Sequence, residues 1–577
     1  MTADKVKYEI ADSERKKYVD AILNSPSNKN IVVAGPGTGK THLFKMILEG
    51  KKDTLTLSFI NALVEDLSLE LCGISDVNTL HGFARSILSK AIKDKEFKIF
   101  PNLGKKVIKK DAKILLDLDK EIDFDGIFHN RDDNNEHIEF YKNRKDYYNH
   151  HGFSDIVFAA VKYFEKYPDK IPNFEQVVVD EFQDFNELEV SLIDILVKQS
   201  PILLAGDDDQ ALYGWKGAST KHIRQRHSED NSDYAPFKLP YCSRCTRVIV
   251  DATNDIINRA KEQGHLSNRI NKPFRYFDHK DKDKVSDGNS QIVYRPLQAS
   301  QIPPYIEIDI LKIAKQVRDK FSVLIICPYN IHCETVANAL KKKGFVNVSF
   351  KEKEDAEELT LLDGLKLLLK EPSCNLGWRI VAEKMLKDKE FEALIKQTSE
   401  EGAKRVFDLI GEGLKREVKQ MLQTLRAVRD GDKIEDESKL ADLFESVDID
   451  ASGMAREYLE DEIKSCQPPS KTVIPADRAI RKIPITITTT QGSKGLDADY
   501  VFITFFDDQY FVEDKDKTKI SDQDICKFLV ALTRARKKAF LYSSDVNKKP
   551  VFLEWIDKKH ICTQKPPIAK KKTAKKK

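Results

Sequence analysis

The run Ile31-Val-Val-Ala-Gly-Pro-Gly-Thr-Gly-Lys-Thr41 constrains this chain more than any other stretch. Three β-prone residues lead into a glycine-rich loop. The loop ends in Gly39-Lys40-Thr41 and opens a helical pattern (Leu43, Met46, Ile47, Leu48) that stops at Gly50. Glycines reach positive φ, so successive backbone N–H groups can wrap an anion. The start of the helix adds its partial positive charge at the same place. The string fits the phosphate-loop formula G-x-x-x-x-G-K-[ST], with Ala34 at the first glycine position. In that pattern Gly35, Gly37, Thr38 and Gly39 cradle phosphate oxygens. Lys40 reaches the outer phosphates and the Thr41 hydroxyl holds Mg²⁺. A strand-to-helix turn with no ligand would use the same glycines, so the rest of the chain has to decide.

At 577 residues the length corresponds to roughly four domains. With 41% apolar and 33% charged residues the composition is that of a soluble globular protein. A net charge of +3 gives no global pull toward nucleic acid, so any such binding has to come from local patches. The nine cysteines are scattered, which suits a reducing, intracellular compartment. Only Cys242 and Cys245 form a C-x-x-C, and a zinc site needs about four ligands. The longest apolar runs, Val323–Cys327 and Tyr500–Phe506, are strand-length, far below the roughly 20 residues of a membrane helix.

Short apolar runs alternate with helical patterns, the signature of an α/β chain with parallel sheets. Buried strands are expected at Ile31–Ala34, Thr54–Ser58, Val177–Val179, Ile202–Ala205, Val323–Ile326, Ile485–Thr489, Val501–Phe505 and Ala539–Tyr542. They fall into two groups, before about 240 and after about 320, which predicts two cores. The polar stretch from Leu88 to Tyr163 reads as a helical insertion in the first core. A second insertion is expected at about 355–475, where Leu414, Val418, Met421, Leu422, Leu425 and Val428 share one helix face suited to packing. The segment His279–Lys284 (HKDKDK) reads as a solvated loop. The last eight residues hold six lysines and read as a disordered basic tail.

Val177-Val-Val-Asp-Glu181 is a buried strand that ends in two carboxylates. Behind a phosphate loop, a strand-end Asp180 holds Mg²⁺ and Glu181 orients and deprotonates the attacking water. Asp180-Glu-Phe-Gln-Asp184 is followed by Gly206-Asp-Asp-Asp-Gln-Ala-Leu-Tyr-Gly-Trp-Lys-Gly-Ala218. Here the chain resembles superfamily 1 DNA helicases of the UvrD/Rep/PcrA type. Ser58-Phe-Ile-Asn61, Thr79-Leu-His-Gly82, Ser493-Lys-Gly-Leu-Asp497 and Leu532-Thr-Arg-Ala535 look like further blocks of that family, in its order. The resemblance runs from about residue 10 to 545.

The resemblance implies two RecA-like parallel-sheet cores, each with a mainly helical insertion. The first core takes 1–88 and 164–238 around an insertion at 89–163. The second takes 239–354 and 476–560 around an insertion at 355–475, and 561–577 is the basic tail. It implies ATP and Mg²⁺ as cofactors and single-stranded DNA and its duplex junctions as partners, with 3′→5′ movement coupled to strand separation. A monomer or weak oligomer is expected, cytoplasmic and nucleoid-associated, or nuclear in a eukaryote. Gln183 and Gln210 would sense the γ-phosphate. Arg244 and Arg534 would reach it from the second core, where arginines supplied across a cleft raise phosphoryl-transfer rates by about 10³–10⁵. Gly495 and Asp497 would lie on the nucleotide, Asp497 at its ribose. Phe59, His81, Tyr213 and Trp215 would form the single-strand contact set, where rings stack on bases without reading sequence. Phe59 and Tyr213 could equally serve as packing.

Two departures from the family concern the adenine. Glu14 falls where the family carries a glutamine, and an ionised carboxylate only accepts hydrogen bonds. Ser243 falls where the family's base-stacking tyrosine precedes the arginine, although Tyr241 is close enough in sequence to take that role. Both predict weakened discrimination for adenine.

Overall fold

The computed structural model describes residues 3–59, 61–91, 97–228, 233–317, 320–350, 359–400, 404–429, 481–514 and 519–565; the side chains of 3–5, 61–63, 66, 215 and 427–429 stand outside that description. The expected lysine-rich tail lies outside the described residues. Two compact units emerge. One joins Met1–Phe83, Phe164–Glu354 and Ile474–Lys577, and the other joins Ala84–Tyr163 and Asp355–Val473.

The first unit holds two parallel sheets. Strands β1 (Lys29–Ala34), β2 (Thr54–Ser58), β3 (Asp76–Thr79), β4 (Gln176–Val179), β5 (Ile202–Gly206) and β6 (Ala235–Leu239) line up in the order β3-β2-β4-β5-β1-β6. β1 lies between β5 and β6, with Val32 opposite Ala205 on one side and Phe237 on the other. Ile31, Val32, Val177, Val178, Leu203 and Leu204 are buried, as the continuous apolar runs of a parallel sheet covered on both faces require. The glycine loop leaves the carboxyl end of β1 and enters helix α1 (Lys40–Leu48), whose Leu43, Phe44 and Leu48 pack into the core. Ligands of such sheets collect at this carboxyl edge.

A short pairing of β7 (Tyr241–Cys242) with β8 (Arg275–Tyr276) precedes the second sheet. That sheet comprises β9 (Ile292–Pro296), β10 (Val323–Cys327), β11 (Val348–Phe350), β12 (Ile485–Thr489), β13 (Ala498–Thr504), β14 (Ala535–Ser543) and β15 (Ile561–Thr563), ordered β11-β12-β10-β13-β14-β9-β15, again all parallel. The α/β class with two parallel sheets is therefore as the sequence predicted. All eight expected strands are present.

One segment differs from expectation. His279–Lys284 is not a solvated loop: Lys280–Asp287 is helical. Its charges have partners. Asp283 accepts from the Tyr276 hydroxyl at 2.9 Å and from Lys7 at 3.0 Å, and the Lys282 ammonium sits 3.8 Å from the centre of the Tyr276 ring.

The second unit is helical, with an isolated bridge between Ile99 and His151. Its helix Glu412–Arg429 buries Val418, Met421, Leu422 and Leu425, the packing face read from the sequence. At its centre Asp111 is fully buried. It accepts from Arg144 Nη2 at 2.6 Å, from Arg379 Nη2 at 2.9 Å and from the Tyr148 hydroxyl at 2.5 Å. This cluster ties the two sequence-distant segments of the unit together. Burial pushes the Asp111 carboxyl up, but Arg379 and Arg144 outweigh it and hold it below its usual range.

Candidate nucleotide site

The loop after β1 has the backbone its glycines allow. Gly37 and Gly39 have φ of +67° and +97°. At Gly37 the space is closed as well: a Cβ there would lie 2.3 Å from the Arg244 Cβ. The segment after β7 is bonded to this loop, with Ser243 donating to the Gly37 carbonyl from its N–H at 2.9 Å and its hydroxyl at 3.1 Å. Thr38 Oγ1 donates to the Gly35 carbonyl at 2.9 Å. Lys40 and Thr41 follow as the first two residues of α1.

The Lys40 ammonium reaches Glu181 Oε1 at 3.2 Å. Glu181 sits at the carboxyl end of β4 with a φ of +55°, a costly conformation for a non-glycine residue. From here a hydrogen-bonded chain crosses to the second sheet. Gln183 Nε2 donates to Glu181 Oε2 at 2.5 Å, and Gln183 Oε1 accepts from the Asp207 N–H at 2.9 Å. Gln210 Nε2 donates to Asp207 Oδ2 at 2.8 Å, and Gln210 Oε1 accepts from Arg534 Nη2 at 2.8 Å. Arg534 immediately precedes β14. Lys494, between β12 and β13, makes a second crossing: it pairs closely with Asp184, lies 3.4 Å from Glu181 Oε2 and donates to the Gln210 carbonyl at 2.8 Å.

Burial sets the protonation pattern. It pushes the Asp180 carboxyl up to about 6, helped by the neighbouring Glu181. It pushes Glu181 up too, but Lys40 and Lys494 outweigh it and hold Glu181 well below the usual carboxylate range. Burial and the nearby Arg244 bring the Arg534 guanidinium down to about 10. Glu181 is thus held ionised and, while Lys40 and Lys494 face it, is a weak proton acceptor; the adjacent Asp180 favours a compensating cation. The Thr41 hydroxyl and the Asp180 carboxylate are hard oxygen donors, the type that suits Mg²⁺.

Other predicted residues have different surroundings. Asp497 is engaged by charge: Arg244 Nε lies 3.0 Å from Oδ2 and Arg536 pairs closely with Oδ1. Gly495 takes a φ of +83°. Tyr241 donates its hydroxyl to Glu14 and packs edge-on against Tyr18 and Phe277. Phe59 lies 5.0 Å from Tyr213 between ring centres. Tyr213 is 4% exposed and packs with Leu212, Cys526 and Val530, so in this conformation it is a packing residue rather than an open stacking face. His81 Nε2 lies 3.6 Å from Glu189 Oε1. Trp215 lies on the short turn Gly214–Lys216, and its side chain is outside the described residues.

Residues 104–231 match the UvrD/REP helicase N-terminal domain family. Over 116 residues the chain is 31% identical to the ATP-dependent DNA helicase PcrA of Leuconostoc citreum, 30% to that of Staphylococcus epidermidis and 29% to that of Staphylococcus aureus. Over these stretches the chain is similar to the UvrD/Rep/PcrA-type superfamily 1 helicases. Each match spans 19% of this chain and 15% to 16% of the relative, so the stretch shared with these UvrD-type proteins is short beside their full length.

Within this UvrD-type frame, sequence reasoning passed over several residues. Lys494 stands inside the quoted Ser493–Asp497 string, and a lysine next to the assigned Gly495 was signal enough to include it. Arg269 and Lys272 lie in a stretch with no recognised motif, yet both reach the carboxylates of Asp207–Asp209. Arg269 and Lys272 line a small cavity of about 20 Å³ with Gly35, Pro36, Gln210 and Phe274.

Proposed function

We propose that this chain is an ATP hydrolase that uses Mg²⁺ and moves along single-stranded DNA, 3′→5′, coupling hydrolysis to strand separation. The observation that carries the reading is the path Glu181–Gln183–Asp207–Gln210–Arg534, in which every link is a hydrogen bond. It connects the hydrolytic carboxylate on the first sheet to an arginine on the second, the coupling a motor with two cores needs. The segments 1–88 with 164–238 and 239–354 with 476–560 serve as the two motor cores, and 89–163 and 355–475 as their insertions.

Lys40, with the Gly35–Gly39 loop, binds the phosphates. Thr41 and Asp180 hold Mg²⁺, which when bound neutralises charge on the phosphate oxygens. Glu181 takes the proton of the attacking water. Arg534 and Arg244 stabilise charge from the second core. Phe59, His81, Tyr213 and Trp215 contact the strand, Tyr213 after a rearrangement that frees its ring. The relatives' names speak of ATP and DNA, in keeping with this reading. Among the described residues no helix is long and apolar enough to cross a membrane. The test is ATP turnover with and without single-stranded DNA, followed by unwinding of a duplex that carries a 3′ tail. DNA-stimulated turnover with strand separation supports the proposal, and turnover indifferent to DNA rejects it.

A further inference from the structure

Asp207, Asp208 and Asp209 bring carboxylate oxygens within 4.8 Å of one another, a grouping that demands a cation. That cation is already part of the chain. The Lys272 ammonium, with 6% of its side chain exposed, lies 2.6 Å from Asp207 and 3.0 Å from Asp209 and pairs closely with Asp208. Arg269 Nε completes Asp209 at 2.8 Å, and Arg224 Nε reaches Asp208 at 3.1 Å. The Lys272 loop belongs with the second sheet. Leu266 and Phe274 pack into the cluster that includes Val501, Ile503 and Leu529, and the Leu266 N–H donates to Asp522 Oδ1 at 2.9 Å. Asp522 opens the helix Asp522–Leu532, which ends two residues before Arg534.

The two oxygens of Asp207 face different partners. Oδ1 takes Lys272 and the Asp209 N–H at 3.1 Å, and Oδ2 takes the Gln210 amide, whose carbonyl oxygen then accepts from Arg534. An amide fixed by its NH₂ end can turn only one face to the arginine.

We propose that Lys272 is a positioning residue for hydrolysis: by fixing Asp207 it holds Gln210 in the orientation that receives Arg534. This rests on the proposed ATP-hydrolysing function. Lys272 touches no reacting atom in this account and acts through Asp207 and Gln210. Removing it leaves three crowded carboxylates, two of them retaining an arginine and Asp207 retaining none. Held then only by the neutral Asp209 N–H and Gln210 amide, Asp207 turns, and Gln210 with it.

The test is a double-mutant cycle in DNA-stimulated ATP hydrolysis. Lys272→Met is made together with Asp208→Asn, which relieves the charge imbalance without touching Gln210, and the pair is compared with Gln210→Ala and with the combination of all three. We expect the Lys272→Met/Asp208→Asn protein to lose about 10²-fold in kcat, the scale of a small misplacement. KM for ATP should move by less than about threefold. Adding Gln210→Ala should cost no more than about a further twofold, because both changes break one path. Losses that multiply, or a rise in KM that accounts for the defect, would overturn the proposal. Should that background not fold, Lys272→Arg carries the same cycle: the charge remains but its reach differs, so kcat falls about tenfold at unchanged melting temperature. An undiminished kcat in Lys272→Arg would then overturn it. Wild-type turnover that Lys40→Ala abolishes separates the two readings, since its presence upholds the ATPase whatever the cycle shows, and its absence overturns both.

Discussion

Lys40 and Glu181 are paired, Nζ to Oε1 at 3.2 Å, with both side chains largely buried. The residue read as the phosphate-binding cation is thus neutralised by the residue read as the hydrolytic base. On the proposed reading a phosphate arriving at Lys40 would compete for this bond and release Glu181 Oε1 toward water, with Gln183 and Lys494 still on Oε2, so that binding and activation would be linked.

Glu181→Gln should therefore keep nucleotide binding and lose about 10²–10⁴ in turnover, the usual range for a general base. Lys40→Ala should abolish turnover. The check pairs equilibrium binding of a fluorescent nucleotide with steady-state hydrolysis. Normal turnover by either variant would remove its residue from the assigned role.

Asp180 predicts a pH dependence of stability. Burial raises its folded pKa from 3.8 to about 6, so the folded protein binds this proton more tightly than the unfolded chain. The contribution is present below about pH 4 and is lost as pH rises through about 6, because the folded state pays for an unscreened charge. Asp180→Asn should flatten the decline of melting temperature over that window in nucleotide-free protein. An identical slope in the variant would contradict the assignment.

Asp111 should be essential to the helical unit. Removing one partner of a buried charge cluster costs about 3–5 kcal/mol, because the remaining charges are left uncompensated. Asp111→Ala strands Arg144 and Arg379, so the unit should lose cooperative unfolding or melt well below wild type by calorimetry. A shift typical of a surface substitution would show the cluster to be incidental.

Glu14 and Tyr241 bear on base selection. Tyr241 spends its hydroxyl on Glu14, and Ser243 spends both its donors on Gly37. Discrimination between ATP and GTP should be weak, with GTP or CTP hydrolysed at a rate less than about 100-fold below ATP, a gap of under about 3 kcal/mol. Glu14→Gln should widen that gap. A larger gap in the wild type would show that adenine is recognised elsewhere.

Much of this architecture is legible in the chain because buried parallel strands have no polar alternation to hide them. Thr54–Ser58 and Ile485–Thr489 can be read to the residue. Asp76–Thr79, Ala235–Leu239, Val348–Phe350 and Ile561–Thr563 cannot, since strands at or near sheet edges carry polar residues and, at Pro236, a proline. Ile292–Pro296 is hidden by Arg295, whose charge is met only in three dimensions by Asp309 at 2.8 Å. The helix at Lys280–Asp287 is illegible for a similar reason, because Lys7 meets Asp283 from 276 positions away. The phosphate loop and the acidic strand end are local patterns and can be read directly. Lys272 meets Asp207 from 65 positions along the chain, and no local pattern announces such a meeting.

The most direct measurement is steady-state ATP hydrolysis by the full chain with Mg²⁺, titrated with single-stranded DNA. The coupled path from Glu181 to Arg534 predicts turnover that rises strongly with DNA and disappears in Lys40→Ala. Turnover that ignores DNA, or that survives Lys40→Ala, would contradict the reading of this chain as an ATP-driven motor on DNA.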